Sequence, residues 1–230
     1  MAADDSYSKV LMHFSGADAS TTITDESGKT WTRRGTAQID TAQYKFGGAS
    51  LLLDGNSDWV DTPDSDDFYI GTGDWTIDCW VRLAATGSDC TICHQNETAG
   101  DKFFEVLINA AGSLVCRYYT GSAYTIAVTS PTGQFDADTW YHIAVTHDDS
   151  TDDTAVFKNG TKIRQTVDTG APANLTSVFR VGSNGANRYF NGWIDEFRFS
   201  KGIRRWTANF TPPTIEYQTP ARTARGLIIG

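Results

Sequence analysis

The amino-acid sequence predicts an all-β fold, a sandwich or jelly roll of two antiparallel sheets with an extended C-terminal arm. Three observations carry this. Short segments alternate apolar and polar side chains, the period of a strand with one buried face. Clusters of Gly, Asn, Asp and Ser separate them. No long stretch shows a helical period, and no repeat or linker divides the 230 residues. That length suits one sandwich domain.

Taken in order, residues 1–9 form an N-terminal arm, 10–213 the domain and 214–230 the extended C-terminal arm. Val10, Met12 and Phe14 alternate with Leu11 and His13 as the first strand. A polar loop, Gly16 to Gly28, leads to a short strand at Thr30–Arg34. Phe46-Gly47-Gly48-Ala49-Ser50 turns the chain into Leu51–Leu53, which ends in the turn formers Asp54-Gly55-Asn56. Trp59-Val60-Asp61 returns, and Asp64–Gly73 is a polar loop. Trp75–Leu83 alternates most plainly, with Trp75, Ile77, Cys79 and Val81 on one face and Thr76, Asp78, Trp80 and Arg82 on the other.

Further strands fit at Cys90–Gln95, Phe103–Asn109, Leu114–Tyr119, Tyr124–Val128 and Thr139–Thr146. Ala155–Phe157 runs into Asn159-Gly160, the pair a tight type I′ hairpin wants because both central residues take positive φ, and Ile163–Val167 returns. Val178–Val181 precedes a loop rich in glycine and asparagine, Gly182–Asn187.

Asn191–Phe199 alternates last. As a regular strand it puts Trp193, Asp195, Phe197 and Phe199 on one face and Ile194, Glu196 and Arg198 on the other. A carboxylate among three aromatics needs a cation, backbone amides or a basic partner. Ser200–Pro213 then closes the domain. In the arm, Arg222, Arg225, Leu227, Ile228 and Ile229 are candidate partner-binding residues, the apolar triplet adding an edge strand to a neighbouring subunit, a homo-oligomer among the options.

The formal net charge is -9 and the pI about 4.8. This argues against nucleic acid as a partner, which requires clustered Lys and Arg. No run approaches the ~18 apolar residues of a membrane span. Met1–Ser6 lacks the basic and apolar features of a leader, so the expectation is synthesis in a reducing cytoplasm. Cys79, Cys90, Cys93 and Cys116 are then expected as buried thiols; Cys90-Thr91-Ile92-Cys93 lacks the second tight pair of a zinc site.

Four segments together resemble a known family. Ser50-Leu51-Leu52-Leu53-Asp54-Gly55 with Trp59-Val60 resembles its SLxFDG…YV element. Trp75-Thr76-Ile77-Asp78-Cys79-Trp80-Val81 resembles FTIExWV. Trp140–Thr146 with Phe157-Lys158-Asn159-Gly160 resembles WHHVAVT…YVDG, and Asn191–Arg198 resembles FxGxIDEVRI. This is the concanavalin A-like, laminin-G-like jelly roll, and the likeness runs from Val10 to Pro213. Ser200–Pro213 further resembles versions found in bacteriophage and environmental bacterial proteins.

The resemblance implies two stacked sheets, binding by surface loops and often a calcium ion, but no single function. Its placement makes Asp25 and Asp195 candidate calcium ligands, with Asp18 in the same loop as Asp25. Calcium wants roughly six to eight oxygens from several loops. For sugars, aromatics would stack on pyranose faces while Asn and Asp fix hydroxyls. The candidates are Trp59, Asn187 and Tyr189, the last two in a loop. Trp80, Tyr118, Tyr119 and Tyr124 are weighed against core packing.

An enzyme is not expected. No Glu-x-Asp-x-x-Glu run supplies a glycosidase pair, and Asp195 and Glu196, as strand neighbours, would face opposite sides. The expected function is a non-enzymatic virion protein, a capsid decoration or fibre-type protein that docks other virion proteins through its terminal arms. The alternative is a carbohydrate-binding, lectin-like or adhesion module of a bacterial surface, with cell-surface glycans as partners.

Overall fold

A computed structural model describes residues 6–98 and 100–218. Within them the strands are β1 (Ser8–Met12), β2 (Thr32–Arg34), β3 (Gln38–Asp40), β4 (Ser50–Asp54), β5 (Trp59–Thr62), β6 (Trp75–Leu83), β7 (Cys90–Asn96) and β8 (Phe103–Ile108). They continue as β9 (Leu114–Tyr119), β10 (Tyr124–Thr129), β11 (Trp140–Asp148), β12 (Asp153–Lys158), β13 (Thr161–Val167), β14 (Phe179–Val181) and β15 (Asn191–Lys201). One turn of 3-10 helix, Asp66–Phe68, interrupts the loop after β5. The candidate arm residues Arg222, Arg225, Leu227, Ile228 and Ile229 lie outside the described residues.

The strands form two antiparallel sheets. One has the order β13-β12-β11-β6-β15-β4-β3, with β1 also paired to β15; the other runs β10-β9-β8-β7-β14-β5-β2. Their facing sides share one core. Trp75 of β6 meets Phe104 of β8 edge-on, with centroids 5.6 Å apart. Phe179 of β14 stacks at 6.0 Å on Phe199 of β15. The four cysteines are free and buried. Asn159 and Gly160 both take positive φ between β12 and β13, as the hairpin requires.

The structure differs from the sequence reading at β1, β3 and β15. β1 begins at Ser8, inside the expected arm. The short β3 went unforeseen; it pairs with β4 through Gln38–Asp40. In β15 the regular alternation does not hold. Glu196 takes φ 52°, and the pairing with β6 slips between Asp195 and Arg198. This bulge reverses the parity of the strand. Ile194, Phe197 and Phe199 face the core, while Asp195 pairs with Trp80 and Arg198 with Asp78, both on the outer side of β6. Asp195 therefore does not share a face with Phe197 and Phe199.

The outer side of the first sheet is covered by the chain itself. Trp206 and Phe210 pack on Ala144, Ala155 and Phe157, and Tyr217 is buried. Residues up to Gln218, expected to have left the domain, thus form part of a covering layer.

Candidate functional site

The other sheet keeps an open outer side, and its side chains follow from strand alternation. In β5, Val60 enters the core and Trp59 and Asp61 point out. The register then lays one row across the strands. Asp61 opposes Arg180, Arg180 opposes His94, His94 opposes Glu105, and Glu105 opposes Arg117. Beside the far end lie Phe103, Tyr119 and Tyr124, with Tyr119–Tyr124 centroids 5.0 Å apart.

The two ends of the row are held by charge-assisted bonds, the stronger kind when both partners are aligned. Arg34 donates to Asp61 through Nε at 2.8 Å and Nη2 at 3.1 Å. Trp59 Nε1 donates to the same carboxylate at 2.9 Å, which fixes its ring. Glu105, fully buried, accepts from Thr91 Oγ1 at 2.8 Å and from Arg117 Nη2 at 2.6 Å. Arg188 reaches Glu105 at 3.3 Å and Asp89 at 3.1 Å. Burial, with Arg180, Arg188 and Arg117 nearby, pushes His94 down to about 3, so its imidazole is neutral at pH 7.

The loop 182–190 folds over the near end. Asn184 Oδ1 accepts from the amides of Ala186, Asn187 and Arg188, each at 3.0 Å. Ser183 bridges to Tyr189. Gly185, at φ 76°, lies against the Arg180 guanidinium: a Cβ there would fall 2.9 Å from Nε. The loop sets the Tyr189 ring 6.1 Å from that of Trp59, tilted by 37°. Both rings are half-buried and Asn187 is exposed.

The structure thus gathers Trp59, Tyr189 and the loop carrying Asn187 at one end of the open face. Of the other aromatics weighed, Tyr118 is in the core. Trp80 is buried beneath Lys45, whose Nζ lies 4.0 Å from its centroid. Tyr119 and Tyr124 face outward. Sequence reasoning missed Arg34, Asp61, Arg180, Glu105, Arg117 and Arg188. The alternation of Phe103-Phe104-Glu105-Val106 and Cys116-Arg117-Tyr118-Tyr119 carried their signal, since it places charges and aromatics together opposite a core face.

The carboxylates expected for calcium are not gathered. Among the described residues no group of three or more His, Cys, Asp or Glu is placed to hold a metal. Asp25 Oδ1 accepts from Leu11 N at 3.0 Å and Ser27 N at 2.8 Å, and its Oδ2 from Trp31 Nε1 at 3.0 Å. These bonds tie a loop to β1. Asp18 accepts from Thr41 N at 3.1 Å in an exposed loop. Asp195 Oδ2 accepts from the amides of Lys45 at 2.8 Å and Phe46 at 3.0 Å. Its Oδ1 is buried without a partner, and burial pushes the carboxyl up to about 7. The oxygens of these three carboxylates without a hydrogen bond among the described residues, Asp195 Oδ1 and the exposed Asp18 Oδ2, are far from the roughly six to eight that calcium takes.

Glu196, expected to face away from Asp195, instead enters the covering layer. It accepts from Tyr217 N at 2.7 Å and pairs with His13 Nδ1 at 2.8 Å. Both acids are fully buried. Asp54 is a turn former, accepting from the amides of Asn56 at 2.9 Å and Ser57 at 2.8 Å.

A laminin G family model, described as the concanavalin A-like lectin/glucanases superfamily, matches residues 54–207. Domain 4 of AbnA, a GH43 extracellular arabinanase from Geobacillus stearothermophilus solved with arabinotriose, superposes with TM-score 0.60 at 21% identity, covering 86% of this chain and 95% of that one. The binding domain of botulinum neurotoxin DC, solved with SialylT, gives 0.60 at 12% identity, over 85% of this chain and 48% of that one. The type G receptor-binding domain gives 0.59 at 12%, over 90% and 49%. The chain spans about half the length of these toxin chains. No curated protein matches it. Among the described residues no helix is long and apolar enough to cross a membrane.

Proposed function

The chain belongs to the concanavalin A-like lectin/glucanases superfamily, and from that premise we propose that it is a non-enzymatic glycan-binding module whose site is the Trp59–Tyr189 end of the open sheet face. One observation carries the reading. Two half-exposed aromatic rings, 6.1 Å apart, stand beside an exposed asparagine on a rigidly braced face. A ring fixed in advance loses little entropy when a sugar stacks on it. Solved relatives of the same fold carry arabinotriose and SialylT, which supports the class of ligand and not its identity.

The test is a glycan array probed with the wild type, Trp59→Ala and Tyr189→Ala. The expected result is a set of hits lost in both variants with unchanged thermal melts. Hits that survive both would remove the site. For calcium, Asp195 Oδ1 is the one buried oxygen without a partner among the three carboxylates, and it lies away from the open face. Binding is therefore expected to persist in EDTA.

A second reading sets this module on a virion as a decoration or fibre-type protein. It rests on the resemblance of Ser200–Pro213 to phage versions. Deleting Ala221–Gly230 is expected to abolish incorporation into particles; normal incorporation would exclude docking through that arm.

A further inference from the structure

The open face carries four arginines, Arg34, Arg117, Arg180 and Arg188, against three carboxylates, Asp61, Asp89 and Glu105. Arg34 takes Asp61 in a two-pronged pair. Arg117 and Arg188 share Glu105, and Arg188 also holds Asp89. Arg180 is left over. Its cross-strand partner is Asp61, yet both Asp61 oxygens are committed to Arg34 and one also to Trp59.

No carboxylate among the described residues comes within ion-pair distance of Arg180. Among the described residues its guanidinium makes one hydrogen bond, from Nη1 to the neutral Asn96 Oδ1 at 2.9 Å. Nε and Nη2 lie against Gly185, the residue that caps the guanidinium without a side chain. The neighbouring His94 is neutral and adds no charge. The group is half-buried and feels Asp61 only beyond ion-pair distance, so part of its desolvation cost is left for a bound anion to recover.

We propose that Arg180 anchors the carboxylate of an acidic saccharide, such as a hexuronic acid, whose ring stacks at Trp59 and Tyr189. The inference rests on the glycan-binding reading. Arg180 and Trp59 stand on adjacent strands as diagonal neighbours on one face, a spacing of ~7–8 Å within reach of long side chains. A planar guanidinium with free donors suits a carboxylate, which it can hold through two parallel bonds. Asp61 also acts on Arg180 across the strand pair, and its bidentate pairing with Arg34 offsets part of its charge.

The experiment measures binding of paired oligosaccharides, one containing glucuronic acid and its counterpart containing glucose, to wild type, Arg180→Ala, Arg180→Lys and Trp59→Ala. Each variant is first checked by thermal melt. The expected result is that wild type prefers the glucuronic acid ligand. Arg180→Ala then weakens it by ~10- to 100-fold, the scale of one charged hydrogen-bond set. The neutral ligand is unaffected, and Arg180→Lys restores part of the preference. Trp59→Ala weakens both ligands. Equal binding of the two ligands, unchanged in Arg180→Ala, overturns the anion anchor and leaves the glycan site standing. No binding of either ligand, together with a silent glycan array, overturns the site itself.

Discussion

Asp78 shows what a buried charge needs in this fold. It is fully buried and accepts from Arg198 Nε at 3.0 Å and Nη2 at 2.9 Å, and from the Tyr217 hydroxyl. His142 Nε2 lies 3.1 Å from that hydroxyl. Burial alone would raise the Asp78 carboxyl; the adjacent Arg198 outweighs it and holds the group well below the usual carboxylate range. Burial likewise lowers His142 and keeps it neutral, so Nε2–H donates to the tyrosine oxygen, which donates on to Asp78. Removing one end of such a chain is costly because the rest stays buried. Asp78→Ala is expected to cost about 3–5 kcal/mol, since Arg198 loses its carboxylate. Tyr217→Phe, which removes one donor, is expected to cost about 1–3 kcal/mol. Urea titrations of the two variants check the order, and a Tyr217→Phe loss equal to that of Asp78→Ala would contradict it.

The covering segment after β15 works as one element. Trp206 and Phe210 stack with centroids 4.0 Å apart, and His142 meets Trp206 and Phe210 edge-on at 5.8 and 5.6 Å. Phe210 N also bonds Gly160 O at 2.9 Å, which ties the segment to the β12–β13 hairpin. Trp206 is half-exposed, so Trp206→Ala is expected to cost about 1–2 kcal/mol, below full burial of a large side chain. Adding Phe210→Ala should cost less than the sum, because each ring has already lost its neighbour. Strictly additive losses in denaturant melts would show that the two rings do not act together. The strands themselves were legible in the sequence because alternation has one cause, a buried face, and β6 was bounded to the residue. The parity of β15 was not legible. Its bulge at Glu196 is set by the layer above, where His13 and Tyr217 hold that side chain, and no local signal announces such partners. The site was half legible for the same reason. Loop aromatics such as Tyr189 stand out in a chain, but the excess of Arg180 appears only once the folded side chains pair Asp61 diagonally with Arg34.

The two sheet faces divide the labour of the whole molecule. One is sealed by the chain's own C-terminal segment and holds Asp78, Asp195 and Glu196; the other carries the candidate site. The net charge of -9 disfavours anionic ligands at long range, so attraction at Arg180 is confined to short distances and weakens with salt. On the sealed side, Asp195 links pH to stability. Its carboxyl moves from 3.8 to about 7 on folding because burial disfavours the charge. Between those values the native chain keeps a proton that the unfolded chain has released. Stability from this group is therefore complete below about pH 4 and falls as pH rises, by about 1.4 kcal/mol per pH unit, until the native group ionises near neutrality. Asp195→Asn, which resembles the protonated acid, lacks this slope, while every other titrating group is common to both proteins. The melting temperature of wild type relative to Asp195→Asn should thus decline steadily from pH 4 to pH 7. A flat difference would mean that the folded chain keeps Asp195 ionised, as a cation at Oδ1 would. Repeating the series in EDTA would separate a bound cation from amide bonds alone.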